Sequence, residues 1–167
     1  MVSQMFENFS TRALHVVFAA RAKGGERGAD ALGVGDLVIG ILLEDQNRMG
    51  TVLALGAEGG EDSMQRFEPH AAFFSAESAS DLLIGVEGLL SHANPIPPAA
   101  DMSVSADLSR VFELTEKLRD DLHHNQVQPL HFLAVILENN SNQFTNLFGR
   151  AGITQEAVLA TLKGKPQ

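Results

Sequence analysis

The chain has 167 residues, 44% of them hydrophobic, with 21 acidic against 12 basic residues and a formal charge of −9. Cysteine, tryptophan and tyrosine are all missing, which excludes disulfides and thiolate metal sites and leaves Phe, Met, Leu and Arg as the available interface anchors. The acidic balance repels phosphate backbones and anionic lipid surfaces, so nucleic-acid and membrane partners are not expected. No apolar run approaches the roughly 20 residues of a membrane span. No basic stretch followed by an apolar one opens the chain, and a cytoplasmic location is expected.

In chain order, Ser10 or Thr11 is placed to cap a helix whose apolar positions are Ala13, Val16, Val17 and Ala20. Gly24 and Gly25 are expected to stop it, with Arg21 and Lys23 in its last turn. Residues 29–35 read as a loop. An apolar helix through Leu37, Val38, Ile39, Ile41 and Leu42 follows, then a shorter helix over 49–55 closed by Gly56. Residues 57–103 break the pattern: a turn of helix over 64–67, a helix over 80–92 weakened by Gly85 and Gly88, and a stiff Pro-rich linker over 94–100. Ser105 is expected to cap a long amphipathic helix with Leu108, Val111, Phe112, Thr115, Leu118 and Leu122 inward. Pro129 opens a second apolar helix, where its missing N–H costs nothing. Helices over 143–150 and 155–162, the latter capped by Thr154, end the chain. Nothing alternates at period two for long enough to make a strand, so the fold is expected to be all-α.

The two apolar helices are copies. ADALGVGDLVIGIL over 29–42 aligns with HNQVQPLHFLAVIL over 124–137 at a constant offset of 95, with Asp36 against His131, Leu37 against Phe132 and Leu42 against Leu137. The duplication implies a single domain over 1–167 built of two pseudo-symmetric repeats of about four helices each. Repeat one spans 6–57, a linker with a possible extra helix 58–103, and repeat two 104–163.

With the duplication in view, the chain resembles a known family. Met5, Phe6, Phe9, Ser10 and Ala13 match MF-x-x-F-[ST]-x-x-A, the start of the Clp amino-terminal domain that precedes the ATPase rings of the ClpA and ClpC chaperones. HNQVQPLHFLAVIL is similar to that domain's second signature, HN-x-I-G-T-E-H-L-L-L-x-L-L, and ADALGVGDLVIGIL to the first, with Gly33 kept. Leu55-Gly56, and loosely Ala151-Gly152, match the LG that closes each repeat's third helix. The resemblance implies a double Clp repeat, here stand-alone, since no Walker A sequence follows. It implies a non-catalytic protein-interaction module that contacts a Clp ATPase or protease, an adaptor or an unfolded substrate. The alternative is a small regulatory or ligand-sensing protein that kept the fold without a Clp partner. The Glu of the family's GTEH, linked in ClpC-type members to recognition of phosphorylated arginine, falls on Gly35 and Leu130. A guanidinium ligand needs an anionic partner, so apolar peptide binding is expected instead.

No constellation of residues reads as an active site. His123, His124 and His131 invite a metal, but their spacing does not match helical ligand pairs, and caps or a packed helix start account for them better. Ser10, Ser105 and Thr154 sit where helix caps are expected, and no G-x-S-x-G elbow exists. No enzyme activity, metal or cofactor is expected. Phe9 is expected to staple the first helix to the core. Phe6, and by alignment Met102 and Val104, lie near the repeat starts where family members bind ligands. With Leu130 and His131 they form the expected peptide-contact set.

Overall fold

The structure, a computed structural model, describes residues 6–49, 69–97, 102–138 and 143–164. Within them lie α1 (Thr11–Glu26), β1 (Ala31–Leu32), α2 (Val34–Asp45), α3 (Ala76–Leu89), β2 (Ser103–Val104), α4 (Ala106–Asp121), α5 (Pro129–Ile136), α6 (Gln143–Arg150) and α7 (Gln155–Gly164). The fold is all-α, with two strands of two residues each among the described residues. The chain forms two compact units, one of Met1–Leu14 with Ala106–Gln167 and one of His15–Ser105.

In the His15–Ser105 unit, α2 is the centre. Every residue from Gly35 to Asp45 is buried, because the run Leu37, Val38, Ile39, Ile41, Leu42, Leu43 leaves no polar face to put in water. Each of these side chains contributes about 1.5–3 kcal/mol on leaving water. Gly40 lets α2 close on α1: a Cβ there would strike the Val16 carbonyl oxygen. The polar residues that end α2 and follow it fasten the segment 70–74. Asp45 accepts from the Phe73 N–H at 2.7 Å and the Phe74 N–H at 3.1 Å, and Asn47 exchanges two hydrogen bonds with His70. Glu44, also buried, meets His70 Nε2 at 3.0 Å. α3 then packs on α2 through Ala79, Leu82, Leu83 and Val86.

In the other unit α5 holds the same place. His131, Phe132, Leu133, Ala134, Val135 and Ile136 are buried, with α4 and α7 packed against α5. Gln155 donates its side-chain N–H to the Ala134 carbonyl at 3.1 Å. Phe9, 5% exposed, lies among Phe6, Phe112 and Phe132 at centroid distances of 5.0, 5.9 and 5.3 Å. It is core. Ser10 caps α1 and Thr154 caps α7, accepting from the Ala13 and Ala157 N–H groups at 3.0 and 3.2 Å.

Several sequence expectations are corrected. α1 runs through Gly24 and Gly25 to Glu26 and stops at Gly28, φ +73°, where Gly28 N–H donates to the Gly25 carbonyl and Ala29 N–H to the Gly24 carbonyl. Residues 29–35 are not a plain loop. Leu32 pairs in parallel with Val104, Ala31 with Ser103, and α2 starts at Val34. These strands are too short for a period-two signal. The helix expected over 80–92 runs from Ala76 to Leu89, capped by Ser75. Of the helix expected over 49–55 only Met49, which is buried, is described, and the helix turn expected over 64–67 lies outside the described residues. Among the described residues no helix is long and apolar enough to cross a membrane.

Candidate interaction surfaces

The start of α2 is built around a buried ion pair. Asp36, fully buried, accepts from Arg27 Nε at 2.9 Å and Nη2 at 2.8 Å, and its Oδ2 also takes the Gly33 N–H at 3.0 Å. The two-pronged geometry and the extra donor are what a carboxylate needs to survive out of water. Gly24 belongs to this arrangement, since a Cβ there would sit 3.3 Å from the Asp36 carboxyl. At Gly35, one residue earlier, a Cβ would meet the end of the Leu90 side chain, with Cδ2 at 2.6 Å. The surface at the start of α2 is therefore covered by Leu90.

At the matching start of α5, the ion pair is replaced by two imidazoles. His131, fully buried, accepts the Gln128 N–H on Nδ1 at 2.8 Å, so its proton sits on Nε2, 2.9 Å from His124 Nδ1. Burial first, then the neighbouring His124, holds the His131 pKa down at about 4, and Arg119 pushes the same way. Arg119 donates to the His124 carbonyl at 3.0 Å and meets Glu116 at 3.4 Å, while Asn8 donates to Glu116 at 3.3 Å. One proton fits between the two rings; a second would break a hydrogen bond. Among the described residues no group of three acidic or histidine side chains is placed to hold a metal.

Of the five residues expected to contact a peptide, Phe6, Leu130 and His131 lie in one unit and Met102 and Val104 in the other. Phe6, Met102, Val104 and Leu130 are each partly exposed. Phe6 also stacks edge-on against Phe112 at 5.7 Å, which fixes its ring. His131 is corrected: with no exposed surface it offers nothing to a ligand, and its place at the third position of α5 makes it the side chain that organises the helix start.

Sequence reasoning missed three features. The Arg27–Asp36 pair carried a faint signal, an arginine just past a helix end and an aspartate in the next first turn. The docking of Leu90 on Gly35 carried none. A groove of about 330 Å³ in the unit containing α5, floored by Leu114, Leu118, Ala134 and Leu159 and rimmed by Lys117 and Asp121, was also not foreseen. Among the described residues Ile84 and Phe18 are the most exposed large apolar side chains, at 68% and 51%.

A chain in which two apolar helices, each opened by a polar lead-in and flanked by amphipathic helices, sit at the centres of two units is an all-α double repeat. That fold is the fold of the Clp amino-terminal domains. The N-terminal domain of the caseinolytic protease associated chaperone ClpD from Arabidopsis thaliana matches with a TM-score of 0.64 over 95% of this chain and 97% of that one, at 18% identity. A chain of a malarial protein secretion system matches with a TM-score of 0.64 over 93% of this chain and 92% of that one, at 15% identity. At these identities the likeness is one of fold. No protein-family profile matches the sequence, and no curated protein matches it.

Proposed function

We propose that the protein is a non-catalytic interaction module of the Clp system, which binds apolar segments of a Clp ATPase, an adaptor or an unfolded substrate. The observation that carries this reading is the fold likeness to the ClpD N-terminal domain across nearly the whole of both chains. The side-chain inventory supports it: the buried ionisable groups Asp36, Glu44, Asp45 and His131 are each committed to hydrogen bonds within the fold. The proposed contacts are Phe6 and Leu130 in one unit and Met102 and Val104 in the other. Neither Gly35 nor Leu130 carries an anion, so the ligand side chains that suit these surfaces are apolar. The module is proposed to work in the cytoplasm.

Size-exclusion chromatography of the purified chain with a purified Clp ATPase tests the reading. Co-elution that Leu130→Asp abolishes supports it. Co-elution that is absent with the ATPase and with its adaptors refutes it.

A further inference from the structure

We propose that the surface made by the end of α1 and the start of α2 is a peptide groove that residues 90–97 of this chain occupy in cis. In trans it takes an extended segment of the same chemistry: one apolar anchor, two backbone N–H donors further on, and a closing proline.

The occupant shows how the groove reads its ligand. Leu90 leaves α3 in an extended conformation (φ −103°, ψ 146°) and seats its side chain over Gly35. Ala93 N–H then donates to the Arg27 carbonyl at 2.7 Å and Ile96 N–H to the Gly25 carbonyl at 2.8 Å. Two arginines hold the segment from the other side: Arg27 Nη1 donates to the Ser91 carbonyl at 3.1 Å and Arg21 Nη2 to the Pro97 carbonyl at 3.2 Å. Four hydrogen bonds to the ligand backbone and one apolar seat are the elements of extended-peptide recognition.

The groove is built for a backbone at close range. A Cβ at Gly28 would strike the Asn94 carbonyl oxygen, and one at Gly25 would lie 3.2 Å from the Ile96 carbonyl oxygen. Shifted by 95 residues, positions 25, 28 and 35 become Asp120, His123 and Leu130. His123 keeps the backbone of Gly28, with φ +59° against +73°, yet it carries a side chain where Gly28 has none. The track of small residues is thus present in one repeat and replaced by larger side chains in the other.

The occupant is held loosely. Residues 91–95 and 97 are exposed, and a segment with few buried contacts and solvent-facing hydrogen bonds opens locally well before the core does. Beside Leu90 remains a cavity of about 300 Å³ bordered by Ile39 and by the polar side chains of Lys23, Glu26, Arg27, Glu87 and His92. Leucine leaves it unfilled. A larger anchor, phenylalanine or methionine, gives an incoming segment contact with Ile39 and with the side-chain stems of Lys23 and Arg27 that the resident one lacks. That contact offsets the advantage of the tethered copy, whose effective concentration is on the order of mM.

The test is an anisotropy titration of a labelled peptide of residues 90–97 carrying L90F onto the full chain, onto Ala93→Pro, and onto Ala93→Pro combined with Gly28→Ala. Ala93→Pro removes the resident donor to Arg27, so binding is expected to tighten at least tenfold over the unsubstituted chain. Adding Gly28→Ala is expected to abolish it. No gain in Ala93→Pro, or equal binding with Gly28→Ala, overturns the proposal. Hydrogen exchange on the unsubstituted chain decides the matter if a variant does not fold. The Ala93 and Ile96 amides are expected to exchange at least a hundredfold faster than the Leu42 amide, and equal rates overturn the groove. The groove extends the interaction role proposed above, and the peptide result stands or falls apart from co-elution with a Clp ATPase.

Discussion

Ser10 donates its backbone N–H to the carbonyl of Val127 at 2.9 Å, and with the donor moved 95 residues later and the acceptor 95 residues earlier Ser105 donates to the carbonyl of Leu32 at 2.8 Å. The same shift turns the parallel bridge between Phe9 and Val127 into the pair Val104 and Leu32. The residue ahead of each repeat's first helix is thus fastened to the residues ahead of a buried helix, once in each unit.

The equivalence extends to the centres of the two units, Leu42 and Leu137, which are 0% and 2% exposed. Leu42→Ala and Leu137→Ala are each expected to cost about 2–5 kcal/mol, the range for emptying a packed leucine site. Urea unfolding measures both. A loss below 1 kcal/mol at either site contradicts the assignment of α2 and α5 as the core.

Asp36→Asn keeps the shape of the side chain and removes the charge that faces Arg27, whose side chain is 13% exposed. Leaving a nearly buried guanidinium without its anion is expected to cost about 3 kcal/mol or more, read as a drop in the urea midpoint at unchanged slope.

Gly35→Ala places a methyl against Leu90, and overpacking of this kind costs about 1–3 kcal/mol. Leu90→Ala makes room for it. The double variant is expected to be more stable than the sum of the single losses implies, and a strictly additive cycle would separate the two residues.

His131 gives the fold a pH dependence. Its pKa is about 4 when folded against an ordinary 6.5, so the unfolded chain takes up the proton first as pH falls. Stability contributed by the neutral ring is complete above about 6.5 and is lost progressively down to about 4, by up to about 3 kcal/mol. His124 and Arg119 press in the same direction. Urea midpoints at pH 7, 5.5 and 4.5 should fall less steeply for His131→Gln than for the unsubstituted chain; parallel curves would show that the ring is not the group being titrated.

The periodic parts of the fold were legible in the sequence. Leu37 to Leu42 and Phe132 to Leu137 announce buried helices because apolar runs have few other places to go, and Ser10 and Thr154 announce caps because their hydroxyls suit the free N–H groups of a first turn. Gly24 and Gly25 misled because their cost in a helix, about 1 kcal/mol each, is outweighed by the close approach they allow to Asp36 and to residue 96. The two-residue strands have no period to detect. His131 was read both as a packed helix start and as a contact, since an imidazole suits either place, and only its burial decides between them.

The most direct test of the proposed function is a side-by-side titration of phosphoarginine and an apolar peptide at two ionic strengths. The repeat starts carry Gly35 and Leu130, and the one carboxylate beside them, Asp36, is buried and already taken by Arg27. The chain has a net charge of −9, so no carboxylate there is open to an incoming guanidinium and little draws a phosphate. Peptide binding that varies weakly with salt, falls at least tenfold with Leu130→Asp and leaves phosphoarginine unbound is the predicted result. Tight, salt-sensitive phosphoarginine binding would contradict it.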